Sequence, residues 1–254
     1  MAAAGARGSR GDGAGRSRSH RGSGGAPAPR RQAASGQKPR GARPAPAAPA
    51  APPLPPGPFR LGAIEGATPG KWIDLWKERM PRHALELVPL GIADQAAAVA
   101  EASVDAGLVR LPMERAGAQL IPLYDEIAVV VCAADSHLTA ADELTLADLA
   151  GEVVITPRHA PLELTVPEAV LPSFAPPESV EDAISIVASG VGVVVVPMSL
   201  ARLHHRRDTA YRPLTDAPHS SVALAWRPGP DGAAPPLVDV FIGIVRGRTA
   251  NSSR

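Results

Sequence analysis

Cysteine occurs once, at Cys132, in a chain of 254 residues. No disulfide framework is available within it, and the fold must rest on packing alone. Cys132 sits inside the apolar run from Ile127, so it reads as a packed thiol, not a nucleophile. Long hydrophobic runs are missing as well: nothing approaches the roughly 20 apolar residues of a membrane helix. The basic N-terminus is not followed by the about 7 to 15 apolar residues of an export signal, and no such segment follows the Arg30-Arg31 pair. These absences predict a cytoplasmic, reduced protein with no membrane partner. Catalytic signatures are also lacking. There is no Walker A loop and no G-x-S-x-G elbow, and the Gly-rich stretch at Gly190 lacks the third glycine of a dinucleotide loop and runs from helix to strand, the reverse of the required order. Adjacent His204 and His205 would project about 100° apart on a helix and cannot share a metal as an i, i+4 pair could. Neither a metal, a cofactor nor a catalytic residue is expected.

Charge is present but segregated. Residues 1–58 hold ten of the 26 basic residues and one of the 25 acidic ones, leaving 16 against 24 in the remainder. The first segment is built of Ala, Gly, Pro, Ser and Arg, with Leu54 its one large aliphatic residue and no aromatic. It cannot bury a core and is predicted to be a disordered tail, polyproline-like from Pro27 onward. Scattered arginines suit phosphate contacts, yet the tail has no Phe, Tyr or Trp to stack on a base. The rest, from Phe59, is long enough for one globular unit of two small lobes.

Ser179 to Arg207 is the most informative stretch. Ser179 with Asp182 three residues on forms a cap, and Val180, Ala183, Ile184 and Val187 share one helical face. Gly190 supplies a left-handed stop, and Val193 to Val196 reads as a strand buried on both faces and closed by Pro197. A helix that hands directly to such a strand marks an α/β fold. Upstream, strands at Arg60–Ile64, Ala84–Leu90 and Ala106–Leu111 alternate with helices at Lys71–Met80 and Asp94–Ser103, a parallel β-α-β-α-β unit. Further strands are expected at Gln119–Leu123, Ile127–Ala133, Val153–Thr156, Tyr211–Thr215 and Val222–Trp226. Short helices are expected at Leu146–Ala150 and within Val166–Phe174, and an amphipathic one at Leu237–Arg246.

In order along the chain, RLGAIEGATPGKW, ADQAAAVAEASVDAGLVRLP, LIPLYDEIAVVVCAADSHLTAADELTLADLA and VEDAISIVASGVGVVVVPMSLARLHHRRDTAYRPLTD resemble the effector-binding domain of LysR-type transcriptional regulators over 59–250. The closing FIGIVRGRTANSSR resembles actinobacterial members. The resemblance implies a two-lobed fold of the type II periplasmic-binding-protein kind, lobe I about 59–125 and 213–250, lobe II about 126–212. Strand crossings would fall at Asp125 to Ile127 and Arg212 to Leu214. It further implies a small effector between the lobes and a homodimer of side-by-side lobes, with the Trp72/Trp76 helix a candidate contact. Members of this family carry a winged helix-turn-helix ahead of this domain. Residues 1–58 lack the apolar periodicity to fold one, so sequence-specific DNA binding is not expected of this segment.

Strand ends and helix starts indicate where the effector would sit. Ala67 and Thr68 precede the first helix, where free amides and the helix dipole favour an anion. Arg110 ends the third strand and could pair with a carboxylate, while Thr156, Arg158 and Ser179 end a strand and begin a helix across the cleft. Together they suggest a small organic acid. Bland roles stand beside each: Thr68 and Ser179 as caps, Arg110 paired with an acid such as Glu65 or Asp94, Arg158 as an exposed loop residue. A transporter's solute-binding protein or, less favoured, an enzyme on the same scaffold are the alternatives to a sensor linked to transcription.

Overall fold

The computed structural model describes residues 54–247; the expected tail up to residue 53 and the C-terminal residues 248–254 lie outside the described residues. The first three strands, β1 (Phe59–Ile64), β2 (Leu85–Leu90) and β3 (Ala106–Arg110), alternate with helices α1 (Gly70–Arg79) and α2 (Gln95–Ala100). β1 pairs in parallel with both β2 and β3, as the alternation requires. α1 stops because Met80, ahead of Pro81, leaves the helical region at φ −124°, ψ 54°; its amide still reaches the Trp76 carbonyl. α2 is shorter than its alanine-rich sequence predicts, ending at Ala100.

β4 (Gln119–Glu126) and β8 (Ser220–Trp226) complete this first sheet in the order β2-β1-β3-β8-β4, with β8 antiparallel to both neighbours. Beneath it, Trp76 of α1 stacks on Phe59 at 4.6 Å between ring centroids, and Phe59 meets Phe241 at 5.1 Å. Phe241 belongs to α5 (Pro236–Val245), which buries Leu237, Val238, Phe241, Ile242 and Ile244. Three fully buried aromatic side chains thus bind both chain ends of this unit into one core, each side chain of that size worth roughly 1.5–3 kcal/mol of transfer free energy.

The second sheet is smaller. β5 (Ala128–Ala133) lies between β6 (Val194–Pro197) and β7 (Thr209–Pro213), antiparallel to both. Every residue of β6 is buried, as its unbroken apolar run predicts. Val194 and Val196 face α3 (Val180–Ala188), whereas Val193 and Val195 face Leu138, Leu149 and Val166. Ser179 caps α3 by accepting from the Asp182 amide at 3.0 Å, and its hydroxyl donates to the Asp182 carboxylate at 2.7 Å. Gly190 follows at φ +84°, in the left-handed region. α4 (Met198–Leu203) continues directly from β6.

Two expectations fail here. Val153–Thr156 forms isolated bridges at Val153 and Val154 in place of a strand, and Val166–Phe174 forms no helix. Prolines at 157, 161, 167, 172, 176 and 177 remove amide donors beyond Thr156, while the Val154 and Ile155 amides themselves donate to the Val170 and Val193 carbonyls. Leu146–Leu149 is a single 3-10 turn with a Thr145–Asp148 capping box.

Candidate functional site

The chain leaves the first sheet at Glu126 and enters the second at Ala128, with Ile127 alone between them. It returns between Pro213 and Ser220. The Ile127 carbonyl accepts from the Met198 amide at 3.0 Å, so the start of α4 is tied to the crossing itself.

A chain of polar groups runs through this point. Gln95 of α2 clamps the end of β3: its Oε1 accepts from the Arg110 amide at 2.8 Å and its Nε2 donates to the Arg110 carbonyl at 2.9 Å. The Arg110 side chain is 1% exposed, and its Nη1 donates to Glu126 Oε2 at 2.8 Å and to Ser220 Oγ. From the other side, Ser199 of α4 donates to the same Glu126 Oε2 at 2.9 Å. One carboxylate oxygen therefore holds a guanidinium of the first sheet and a hydroxyl of the helix that follows the second. Burying such a pair adds little net stability, but breaking it leaves an uncompensated charge, so the arrangement fixes geometry more than it stabilises.

Beside this chain opens a cavity of about 1160 Å³, walled by the turn after β1, the end of β2, the crossing strand and α4. The turn and α4 approach closely at Gly66, where φ is +83° and a Cβ would lie 2.5 Å from Ser199 Oγ. Only glycine fits both constraints. Next to it, Glu65 Oε1 lies 3.0 Å from His204 Nε2 without hydrogen-bond alignment, since that nitrogen has no bonded partner among the described residues. The half-buried Tyr124 phenol bonds to the Thr68 backbone, and burial, reinforced by the Glu126 charge, pushes its pKa up. It stays protonated at neutral pH.

The residues expected to form the site are dispersed. Ala67 and Thr68 line this cavity. Thr68 does not cap α1, whose N-cap is Pro69 with no side-chain bond. Arg110 does not line the cavity; its Nη1 bonds to Glu126 and Ser220, not to Glu65 or Asp94, and its buried Nε and Nη2 have no partner among the described residues. Thr156 lines a separate cavity of about 220 Å³ under the proline-rich stretch. Arg158 is exposed and bonded to Glu178 at 2.8 to 3.0 Å, a contact that raises its already high pKa. Ser179 is a helix cap. Glu126, Ser199 and Tyr124 did not stand out in the sequence as site residues. The signal for Glu126 was the strand alternation that turns it away from Asp125.

Cys132 is fully buried, and burial raises its thiol pKa. Among the described residues no group of three His, Cys, Asp or Glu side chains is placed to hold a metal ion, and no helix is long and apolar enough to cross a membrane.

The family profile described as the LysR substrate binding domain matches residues 54–250. The chain belongs to that family. A relative of this LysR-family domain, the Hca operon transcriptional activator HcaR of Escherichia coli (strain K12), is 28% identical over 194 residues, covering 71% of this chain. The chain spans only 63% of that relative's length. Among solved structures, the reduced OxyR regulatory domain of Pseudomonas aeruginosa matches with a TM-score of 0.58 and 24% identity, covering 75% of this chain and 97% of its own. The BenM effector binding domain with its effector benzoate matches with a TM-score of 0.61 and 21% identity, covering 75% and 91%. Both place the LysR-family domain in the two-sheet, type II periplasmic-binding-protein-like fold. By name these are a transcriptional activator, a regulatory domain and an effector binding domain.

Proposed function

We propose that this LysR-family domain is a ligand-sensing module of transcription regulation, not an enzyme, acting in the cytoplasm and taking a small molecule into the cavity beside the sheet crossing. The carrying observation is that Glu126 Oε2 accepts from both Arg110 and Ser199. A ligand against Glu126 contacts a group bonded both to β3 and to α4, so its binding energy would bias how the two lobes are set. The crossings at Glu126–Ala128 and Pro213–Ser220 would serve as the hinges between lobe I and lobe II. Sensing by thiol oxidation is a poor match, because the single cysteine is buried and held protonated.

BenM is named with benzoate as its effector, which makes compact ring compounds reasonable first probes for this domain. The test is a thermal-shift screen of the full chain against small acids, amines and sugars, with Ile92→Trp at the cavity wall alongside. A ligand at about 100 times its dissociation constant adds roughly 2.7 kcal/mol, a rise on the order of 5 to 10 °C in a domain of this size. A shift that vanishes in Ile92→Trp supports the reading. A shift of equal size in both proteins moves the site elsewhere.

Homodimerisation is part of the same proposal. Trp76 is 0% exposed and belongs to the core, which leaves the half-buried Trp72 as the indole of α1 able to meet a partner. Analytical ultracentrifugation at micromolar concentration checks this, and a monomer removes it.

A further inference from the structure

The charged side chains lining the cavity are Glu65, Asp125, Glu126 and a single cation, Arg202. Arg202 is exposed on α4, and Asp125 is exposed at the rim, where it accepts from Ser221 Oγ. Glu126 is the inner one. Its side chain is 11% exposed; Oε2 takes the bonds from Arg110 and Ser199, while among the described residues Oε1 takes none. An ionised carboxylate only accepts. Oε1 is not among the buried polar atoms without a partner, so it is open to the cavity, and a charged donor is the strongest complement to such an oxygen. The neighbouring cation, Arg110, does not line the cavity. Around Glu126 the wall is apolar, formed by Ile64, Leu87, Pro89, Leu90 and Ile127. A ligand carboxylate seated on this wall would meet Glu65, Asp125 and the open oxygen of the paired Glu126, against one exposed counter-charge, Arg202.

On the reading that this cavity is the effector site, we infer that its ligand is a compact apolar molecule bearing a cationic hydrogen-bond donor, an amidine or amine, directed at Glu126 Oε1. This departs from the organic acid that Ala67, Thr68 and Arg110 suggested in the sequence, because Arg110 is already neutralised by Glu126. Glu126 sets the preference, and the same residue carries it to both sheets.

Benzamidine, benzamide and benzoate share one shape and differ in charge, so the three separate charge from fit. Their affinities for the full chain are measured by isothermal titration calorimetry, with amide chemical-shift changes recorded at saturating millimolar concentration. Benzamidine is expected to bind at least about tenfold more tightly than benzoate, a difference of ~1.4 kcal/mol, with benzamide between them. Ile92→Trp should weaken benzamidine by a similar factor. Glu126→Gln should remove the preference for benzamidine over benzamide. Since Glu126 also holds Arg110, that variant is used only if its circular dichroism matches the parent, and the series on the unmodified chain decides without it. Benzoate binding as tightly as benzamidine, or more so, overturns the ligand class and leaves the sensing role intact. Benzamidine binding unchanged in Ile92→Trp overturns the class assignment by placing the ligand outside this cavity. No response to any of the three overturns the sensing reading at this cavity, and the inference with it.

Discussion

Helices α1 and α5 pack on one face of the first sheet, sharing a core of Phe59, Trp76 and Phe241 with its strands. On the other face α2 packs Ala98 and Val99 against Val109, Ala223 and Ala225. The second sheet has α3 on one face, while the other is covered by 3-10 turns and by the stretch from Ala150 to Ser179, which contains neither helix nor strand. The difference shows where a fold of this kind can afford irregularity. The five-stranded sheet sets the positions of the strand ends, and the looser cover of the three-stranded sheet leaves its own small cavity, lined by Thr156 and Leu162. Glu126, held by Arg110 within the first sheet and by Ser199 of α4, joins the two, and the cavity lies beside that join.

The sharpest way to break this comparison is at the join. Arg110→Met leaves Glu126 buried without its cation and should cost about 3–5 kcal/mol, lowering the midpoint by on the order of 10 °C in thermal denaturation. Replacing both residues, as Arg110→Met with Glu126→Leu, should recover most of that loss, because an apolar pair needs no compensation.

Within the second sheet's surroundings, Gly192→Ala comes next. Gly192 has φ +66°, and a Cβ there would collide with the Val153 carbonyl, which accepts from the Val193 amide at 2.8 Å. A loss of about 2–3 kcal/mol is expected, read from chemical denaturation midpoints. By contrast, Leu171 in the irregular stretch is 86% exposed, and Leu171→Ala should change stability by no more than about 0.5 kcal/mol in the same assay. A large loss there would mean that the loose cover is packed after all.

The smallest effect is the capping box. Asp148 accepts from the Thr145 amide and hydroxyl at 2.7 and 2.8 Å, and these bonds, the backbone one foremost, lower its pKa. A carboxyl with a lowered folded pKa contributes stability that is present above its ordinary value of about 3.9 and is lost as pH falls through the folded pKa. An NMR titration should find its midpoint below that ordinary value, and Thr145→Ala should move it back up.

Much of this was legible in the sequence because it follows from periodicity. The apolar run Val193–Val196, the cap at Ser179 and the left-handed Gly190 are local rules, and the structure obeys them within a residue or two. Val166–Phe174 was misjudged, because Pro167 and Pro172 remove amide donors from an apolar segment, and Val153–Thr156 was misjudged because its pairing stops at single bridges to Val170 and Val193. The site was harder to see. Arg110 and Ser199 are 89 positions apart and meet only because β8 inserts beside β3 and α4 returns to the crossing. Arg110 stood out by its place at a strand end, but the acids weighed as its partners were Glu65 and Asp94, and the one it meets is Glu126.

The most direct test of the account is amide hydrogen exchange on the full chain with and without a saturating ligand from the thermal-shift screen. If the cavity beside the crossing is the effector site, protection should rise together in the turn at 65–68 and in α4 at 198–203, one belonging to the first sheet and the other to the second. Protection confined to 156–171, around the smaller cavity, would contradict it.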